Sequence, residues 1–435
     1  MEKEVGSAGL VIALSTSLFL TLNAPAYFSS FIQPVLAQPF VRDANLDVQA
    51  VVGGLSSPTS MIFLDNTTIL VLEKEGNVRL VTNGVLQEQP VLQVPARTES
   101  ERGLLGVASS TDINRPDNTS IFLYYTEEDP IRNRVYKYQW NGETLVNPTL
   151  VLDLPAEPGY IHVGGKIVIG PDGYLYAVIG DLNHYGKLQN FPDWPPPDDT
   201  GSIFRINPED GSAAPDNPFA SSEGGVLSKY YAYGIRNSFG LDFDPITGNL
   251  WDTENGPSNF DEVNLVRPGF NSGWYTVMGP ISLSGETEDD LVNFPGSRYA
   301  DPLFSWTDSV GPTDIEFFSS SSLGAKYTNN IFVGDIKWGN LYFFEVNENR
   351  DGITFNTTQL QSGLSDLVVN NNEELSSITF GSGFGGITDI ETGPDGFLYI
   401  LSYDNEIEKL PGGFLNISSY NNGTIYKISS SNIAQ

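Results

Sequence analysis

Cysteine is absent from this 435-residue chain, which excludes a disulfide framework, a thiolate nucleophile, a cysteine zinc site and a covalently attached c-type haem. The absence leaves the compartment open, because secretion does not require disulfides. Basic residues are scarce: 22 Lys and Arg stand against 54 Asp and Glu, a formal charge of −32. Such a surface repels phosphate backbones and anionic lipid head groups, so nucleic acid is not an expected partner, whereas divalent cations are compatible. Long amphipathic helices are missing too, since no long stretch repeats its apolar residues with a 3.6-residue period. Histidine is nearly absent, with only His162 and His184 in the chain.

What is present begins with an apolar, hydroxyl-rich segment, "GLVIALSTSLFLTLNAPAYF", after "MEKEV". It has the length of a signal-peptide core or a short membrane anchor. Residues 1–40 are therefore expected to export the chain, by cleavage or as an N-terminal membrane tether, and the protein is expected to be secreted or extracytoplasmic. Ala24, Ala26 and Ala37 offer cleavage points without selecting one. Asn66, Asn118, Asn356, Asn416 and Asn422 head Asn-x-Ser/Thr sites that suit an exported surface.

Short β-branched and aromatic runs separated by Gly, Pro, Asn and Asp fill the rest, among them "TILVLEKEGNVRLV", "SIFLYYTEE" and "GTIYKIS". The chain reads as all-β. Its length exceeds one sandwich or small barrel, and "IVIGPDGYLYAVIGD" recurs as "IETGPDGFLYILSYD", so a repeating architecture is expected. The expected fold is a single β-propeller over residues 41–435, six-bladed, with four-stranded antiparallel blades of about 65 residues each. "PDG" itself is turn chemistry: Pro presets φ, Asp caps the turn and Gly takes a positive φ. Polar residues break the strand pattern in four places: "SERGLLGVA" at 100–108, the hairpin flanked by His162 and Asp181, the stretch 233–274, and "DIKWGN" at 335–340.

These segments, in this order, resemble the soluble quinoprotein aldose (glucose) dehydrogenases, whose members are propellers that bind pyrroloquinoline quinone and calcium. The similarity runs over roughly residues 48 to 430. It implies His162 as the catalytic base, because oxidation of an aldose at the anomeric carbon needs a proton acceptor while hydride leaves for the quinone. Asp181 then orients the imidazole or bonds the sugar. Arg236 and Asn237 match a pair that orders the cofactor site, and Thr313 and Lys337 match cofactor-side positions. Gly256 and Pro257 match calcium ligands that bind through backbone carbonyls, oxygen donors of the kind calcium prefers. Asp261 and Glu262 align with acids of a second calcium site, but Ser272 replaces its aromatic partner, so this pair is left out of the metal set.

The chain also departs from the pattern. Gly386 and Thr388 stand where the family carries two arginines that contact the quinone, and Ile161 replaces an acid before the histidine. Gly386→Arg with Thr388→Arg is expected to tighten quinone binding, provided their neighbours leave room. His184 is a candidate to compensate for the missing acid. Two functions follow: a sugar oxidoreductase that passes electrons from a small-molecule sugar to a separate acceptor, or a cofactor-free propeller that binds carbohydrate or protein outside the cell.

Overall fold

A hairpin whose strands are too short to bury a face alone must stack on a neighbour. In the computed structural model, which describes residues 38–431 apart from 113–114, 185–189, 192–195, 222–224, 404–406, 410–414 and 418–421, this happens repeatedly. The two "GPDG" units make equivalent hairpins, Ile167–Ile169 with Leu175–Ile179 and Ile387–Thr392 with Leu398–Ser402. In each, the turn aspartate accepts from the tyrosine hydroxyl of its own hairpin: Asp172 from Tyr176 at 3.0 Å and Asp395 from Tyr399 at 2.9 Å. The repeat seen in the sequence is thus a repeated turn lock. Of the expected leader or anchor, residues 1–37 lie outside the described residues.

Among the described residues, six sheets hold four or more strands. Their innermost strands are Pro58–Phe63, Leu104–Asp112, Ile167–Ile169, Ser238–Phe243, Pro312–Phe318 and Ile387–Thr392, and successive ones are neighbours, the last meeting the first. One hydrophobic cluster separates each sheet from the next. Phe122 and Tyr124, for example, pack on Leu175 and Ala177, and Trp251 and Trp306 on Ile315 and Val333. This is an all-β propeller. Uniform four-stranded sheets are not observed: two of the six have four strands and the others five or six. Long outer loops supply the extra ones, such as Phe270–Asn271 and Arg298–Tyr299, added in parallel at an outer edge. The ring closes where Leu46–Leu55 pairs antiparallel with Gly423–Ser430, Val48 opposite Ile428. No helix among the described residues is long and apolar enough to cross a membrane.

Around the axis, acids take backbone N–H groups of the inner strands Pro312–Phe318, Ile387–Thr392 and Pro58–Phe63. Asp242 accepts from Phe317 N at 2.7 Å, Asp314 from Ile390 N at 2.9 Å, Glu316 from Thr392 N at 2.9 Å and Asp389 from Met61 N at 2.6 Å. Every one of these bonds runs forward, from one sheet to the next. Lys166 crosses the axis to Asp314 at 2.8 Å and Asp389 at 2.6 Å. Burial pushes the Asp242 carboxyl up to about 6.

Candidate active site

His162 sits in the loop before Ile167–Ile169 with φ at +58°, a left-handed conformation that costs a non-glycine residue about 1–2 kcal/mol. It is held there from both sides. Its N–H donates to Glu101 Oε2 at 2.6 Å, its carbonyl accepts from Leu182 N at 3.2 Å, and only 7% of the residue is exposed. The ring lies between Asp181 Oδ1, 2.6 Å from Nδ1, and Arg236 Nη2, 2.8 Å from Nε2. A guanidinium can only donate, so Nε2 is the acceptor and the ring proton is on Nδ1, facing the carboxylate. Asp181 is fixed in turn: Trp274 Nε1 donates to Oδ2 at 2.8 Å and Asn183 N to Oδ1 at 3.0 Å. Gly180 makes the convergence sterically feasible. A Cβ there would lie 2.3 Å from the His162 carbonyl oxygen and 2.6 Å from that of Arg236.

Arg236 donates its N–H to Glu254 Oε1 at 2.6 Å and Nη1 to the Asn255 carbonyl at 2.7 Å, and its guanidinium lies 5.2 Å over the Trp274 ring. Its Nε is buried without a partner among the described residues. Burial lowers its pKa below the usual guanidinium value. Asn237 accepts from Gly164 N at 3.1 Å and donates to Glu101 Oε2 at 3.1 Å, so it ties together two loops around His162. Glu254, bonded by Ser272 Oγ at 2.6 Å, is pushed up to about 7 by burial.

At the Gly256–Pro257 corner, Gly256 N donates to Asp261 Oδ1 at 2.8 Å, while Asp261 Oδ2 accepts from Val310 N and Gly311 N. Asp261 therefore shapes the corner. The carbonyls of Gly256 and Pro257 accept no backbone hydrogen bond among the described residues. Glu262 turns elsewhere, to Gly279 N and Asn264 Nδ2. Lys337 Nζ donates to the Ser309 carbonyl at 2.7 Å. Thr313 Oγ1 lies 2.8 Å from the Ile387 carbonyl and 3.2 Å from that of Gly334, which commits its single proton to a link between sheets.

His184 is not drawn into the cluster by its ring, whose Nε2 lies 3.7 Å from Asp198, although its N–H caps the Asp181 carbonyl at 2.8 Å. Gly386 backs onto Ile336: a Cβ there would lie 2.6 Å from Ile336 Cδ1 and 3.0 Å from its carbonyl oxygen. A side chain at 386 therefore requires Ile336 to turn its Cδ1 aside, the condition on which the restoring substitution depends. Thr388 Oγ1 lies 3.1 Å from the Pro58 carbonyl. Glu101, Glu254, Asn255 and Trp274 join the cluster without having been singled out. All four lie in the segments marked by broken strand pattern, but spacing does not rank residues inside such a segment.

The sequence profile of the glucose / sorbosone dehydrogenase family matches residues 55–410. The chain belongs to this family. Aldose sugar dehydrogenase of Escherichia coli is 26% identical over 377 residues, covering 84% of this chain and 92% of the relative. Quinoprotein glucose dehydrogenase B of Acinetobacter calcoaceticus is 31% identical over 273 residues, 56% of this chain and 55% of the relative. The PQQ-bound aldose sugar dehydrogenase of Streptomyces coelicolor has a similar fold, with a TM-score of 0.64, 23% identity and coverage of 89% of this chain and 99% of that one.

Proposed function

We propose that this family member is an extracytoplasmic oxidoreductase that oxidises an aldose at its anomeric carbon, with pyrroloquinoline quinone and calcium, on a six-bladed propeller. The blade count is one per large sheet, supported by the ring of inner strands and the cluster between each pair. The observation that carries the activity is the line Asp181, His162, Arg236.

The donor set fits the cofactors. Arg236 Nε is a buried donor that lacks an acceptor among the described residues, Lys337 adds a second cation, and the Gly256 and Pro257 carbonyls are oxygen ligands of the kind calcium takes. Bound quinone with calcium supplies the two-electron acceptor for the hydride of the anomeric C–H. The protein's own part is proton handling. His162 Nε2 takes the proton of the anomeric hydroxyl, which requires Arg236 Nη2 to give up its present hold on that lone pair. Asp181 keeps the other ring proton on Nδ1 and stabilises the imidazolium that forms, while Trp274 prevents the carboxylate from turning away. The oxidised sugar leaves as a lactone, and electrons pass to a separate acceptor.

The test is to add calcium and the quinone to purified protein, then follow cofactor binding by tryptophan fluorescence and oxidation by reduction of an artificial dye with aldoses. Saturable binding with aldose-dependent dye reduction is expected. Absence of both would overturn the reading in favour of an extracellular binding module, which the uncharged Gly386 and Thr388 support.

A further inference from the structure

The five Asn-x-Ser/Thr sites play no part in the sugar chemistry, and the structure separates them. The side chains of Asn118 and Asn416 lie outside the described residues, and Asn422 adjoins 418–421, which lie outside them as well. Asn66 and Asn356 are described together with their surroundings, and both are exposed. Asn66 stands in the turn between Pro58–Phe63 and Thr68–Glu73. Asp65 Oδ1 fixes that turn by accepting from Thr67 N at 2.7 Å and Thr67 Oγ1 at 2.9 Å, and the Asn66 carboxamide makes no hydrogen bond among the described residues. Asn356 caps the helix Thr357–Ser362 through its oxygen alone: Oδ1 accepts from Gln359 N at 3.1 Å, while Nδ2 donates to no described residue. Such freedom is not general at the surface. Asn45, Asn141, Asn147 and Asn293 donate Nδ2 to Asp43, Thr144, Gln139 and Glu288.

Placement on the propeller adds a second argument. Asp314 takes Ile390 N and Asp389 takes Met61 N, so in each case the third residue of one inner strand meets the fourth of the next, and these strands run in one direction. The active site gathers before such strands begin, at His162 and at the loop 309–311 that Asp261 and Lys337 hold. Asn66 comes after Pro58–Phe63 ends, in the position that the "PDG" turns occupy in two other sheets. A bulky group on Asn66 therefore stands at the opposite end of the propeller from the site.

We infer that Asn66 and Asn356 are N-glycosylated, each carrying an oligosaccharide received during export from a lipid diphosphate carrier. This rests on the extracytoplasmic reading above. Nδ2 forms the bond to the anomeric carbon as the bond from that carbon to the diphosphate oxygen breaks; the carrier leaves as its diphosphate, and the amide proton passes to a base of the transferase. Neither asparagine needs to give up a bond, because Asn66 makes none and Asn356 caps its helix with the other atom.

The experiment takes the full chain from the cells that make it, fractionates it into cytoplasm, membrane and medium, and maps its peptides by mass spectrometry. Thr68→Val and Thr358→Ala remove the recognised hydroxyls while keeping both asparagines. The expected result is sugar on the peptides of Asn66 and Asn356 in exported protein, with each threonine variant losing it from its own peptide alone and keeping wild-type melting temperature and turnover. Asn356→Gln should lose the sugar and also lower the melting temperature, because the helix cap goes with it. Exported chain with both asparagines bare overturns the inference and leaves sugar oxidation standing. Chain confined to the cytoplasm and bare overturns the inference together with the export on which it rests.

Discussion

At the scale of single residues, the imidazole of His162 is the element on which the activity turns, and its surroundings specify what its loss should do. The side chain contributes little to any hydrophobic cluster, so His162→Ala should fold normally and lower turnover by about 10²–10⁴-fold, with quinone affinity changed far less. Steady-state kinetics beside a quinone titration checks this, and full turnover in the variant would remove His162 as the base. Asp335 gives a second residue-scale expectation. Burial pushes its carboxyl up to about 6, whereas an unfolded aspartate titrates at about 4. Between those values the folded chain keeps a proton that the unfolded chain has released, so this group's contribution to stability is present at low pH and is lost as pH rises through about 6. Asp335→Asn removes that slope. The difference in unfolding free energy between the two proteins should change with pH by at most about 1.4 kcal/mol per unit in this window, as measured by denaturant titration. A difference that is constant from pH 4 to 7 would contradict the assignment. His162 and Asp181 were legible from sequence because they flank a recognisable hairpin. Glu101 and Trp274 were not, because their bonds to the pair cross between loops that are far apart in the chain.

At the scale of elements, the site depends on strand ends that approach closer than side chains normally allow. Gly180→Ala should force the His162 and Arg236 backbones apart, costing about 1–3 kcal/mol of stability and misaligning the ring with its donor. Thermal unfolding and turnover should both fall in this variant, and an unchanged melting temperature would show that the loops yield freely. Hairpins were readable from alternation and turn residues. The short parallel strands added by Phe270–Asn271 and Val368–Val369 were not, because two-residue pairings have no period to detect. The contact of Gly386 with Ile336 was equally hidden, since the two meet only once two sheets have packed.

At the scale of the whole molecule, a charge of −32 makes the folded chain repel itself. Raising sodium chloride from about 0.01 to 0.5 M shortens the Debye length several-fold, so the melting temperature should rise; calorimetry in the two buffers tests this, and a fall would show that the axial ion pairs outweigh the surface. Not every acid belongs to that surface. Asp242, Asp314, Glu316 and Asp389 hold one inner strand to the next around the axis, a use that composition alone could not separate from solvation. The closed ring was legible in outline from length and repeat. Its seam was not, because nothing in either segment marks Leu46–Leu55 and Gly423–Ser430 as partners. That seam ties folding to the order of synthesis. At roughly 5–20 residues per second, the early strand waits on the order of tens of seconds for its mate, with one edge open to any other extended segment nearby. A nascent chain that has everything up to but not including Gly423–Ser430 should therefore be a better chaperone client than one cut at half that length.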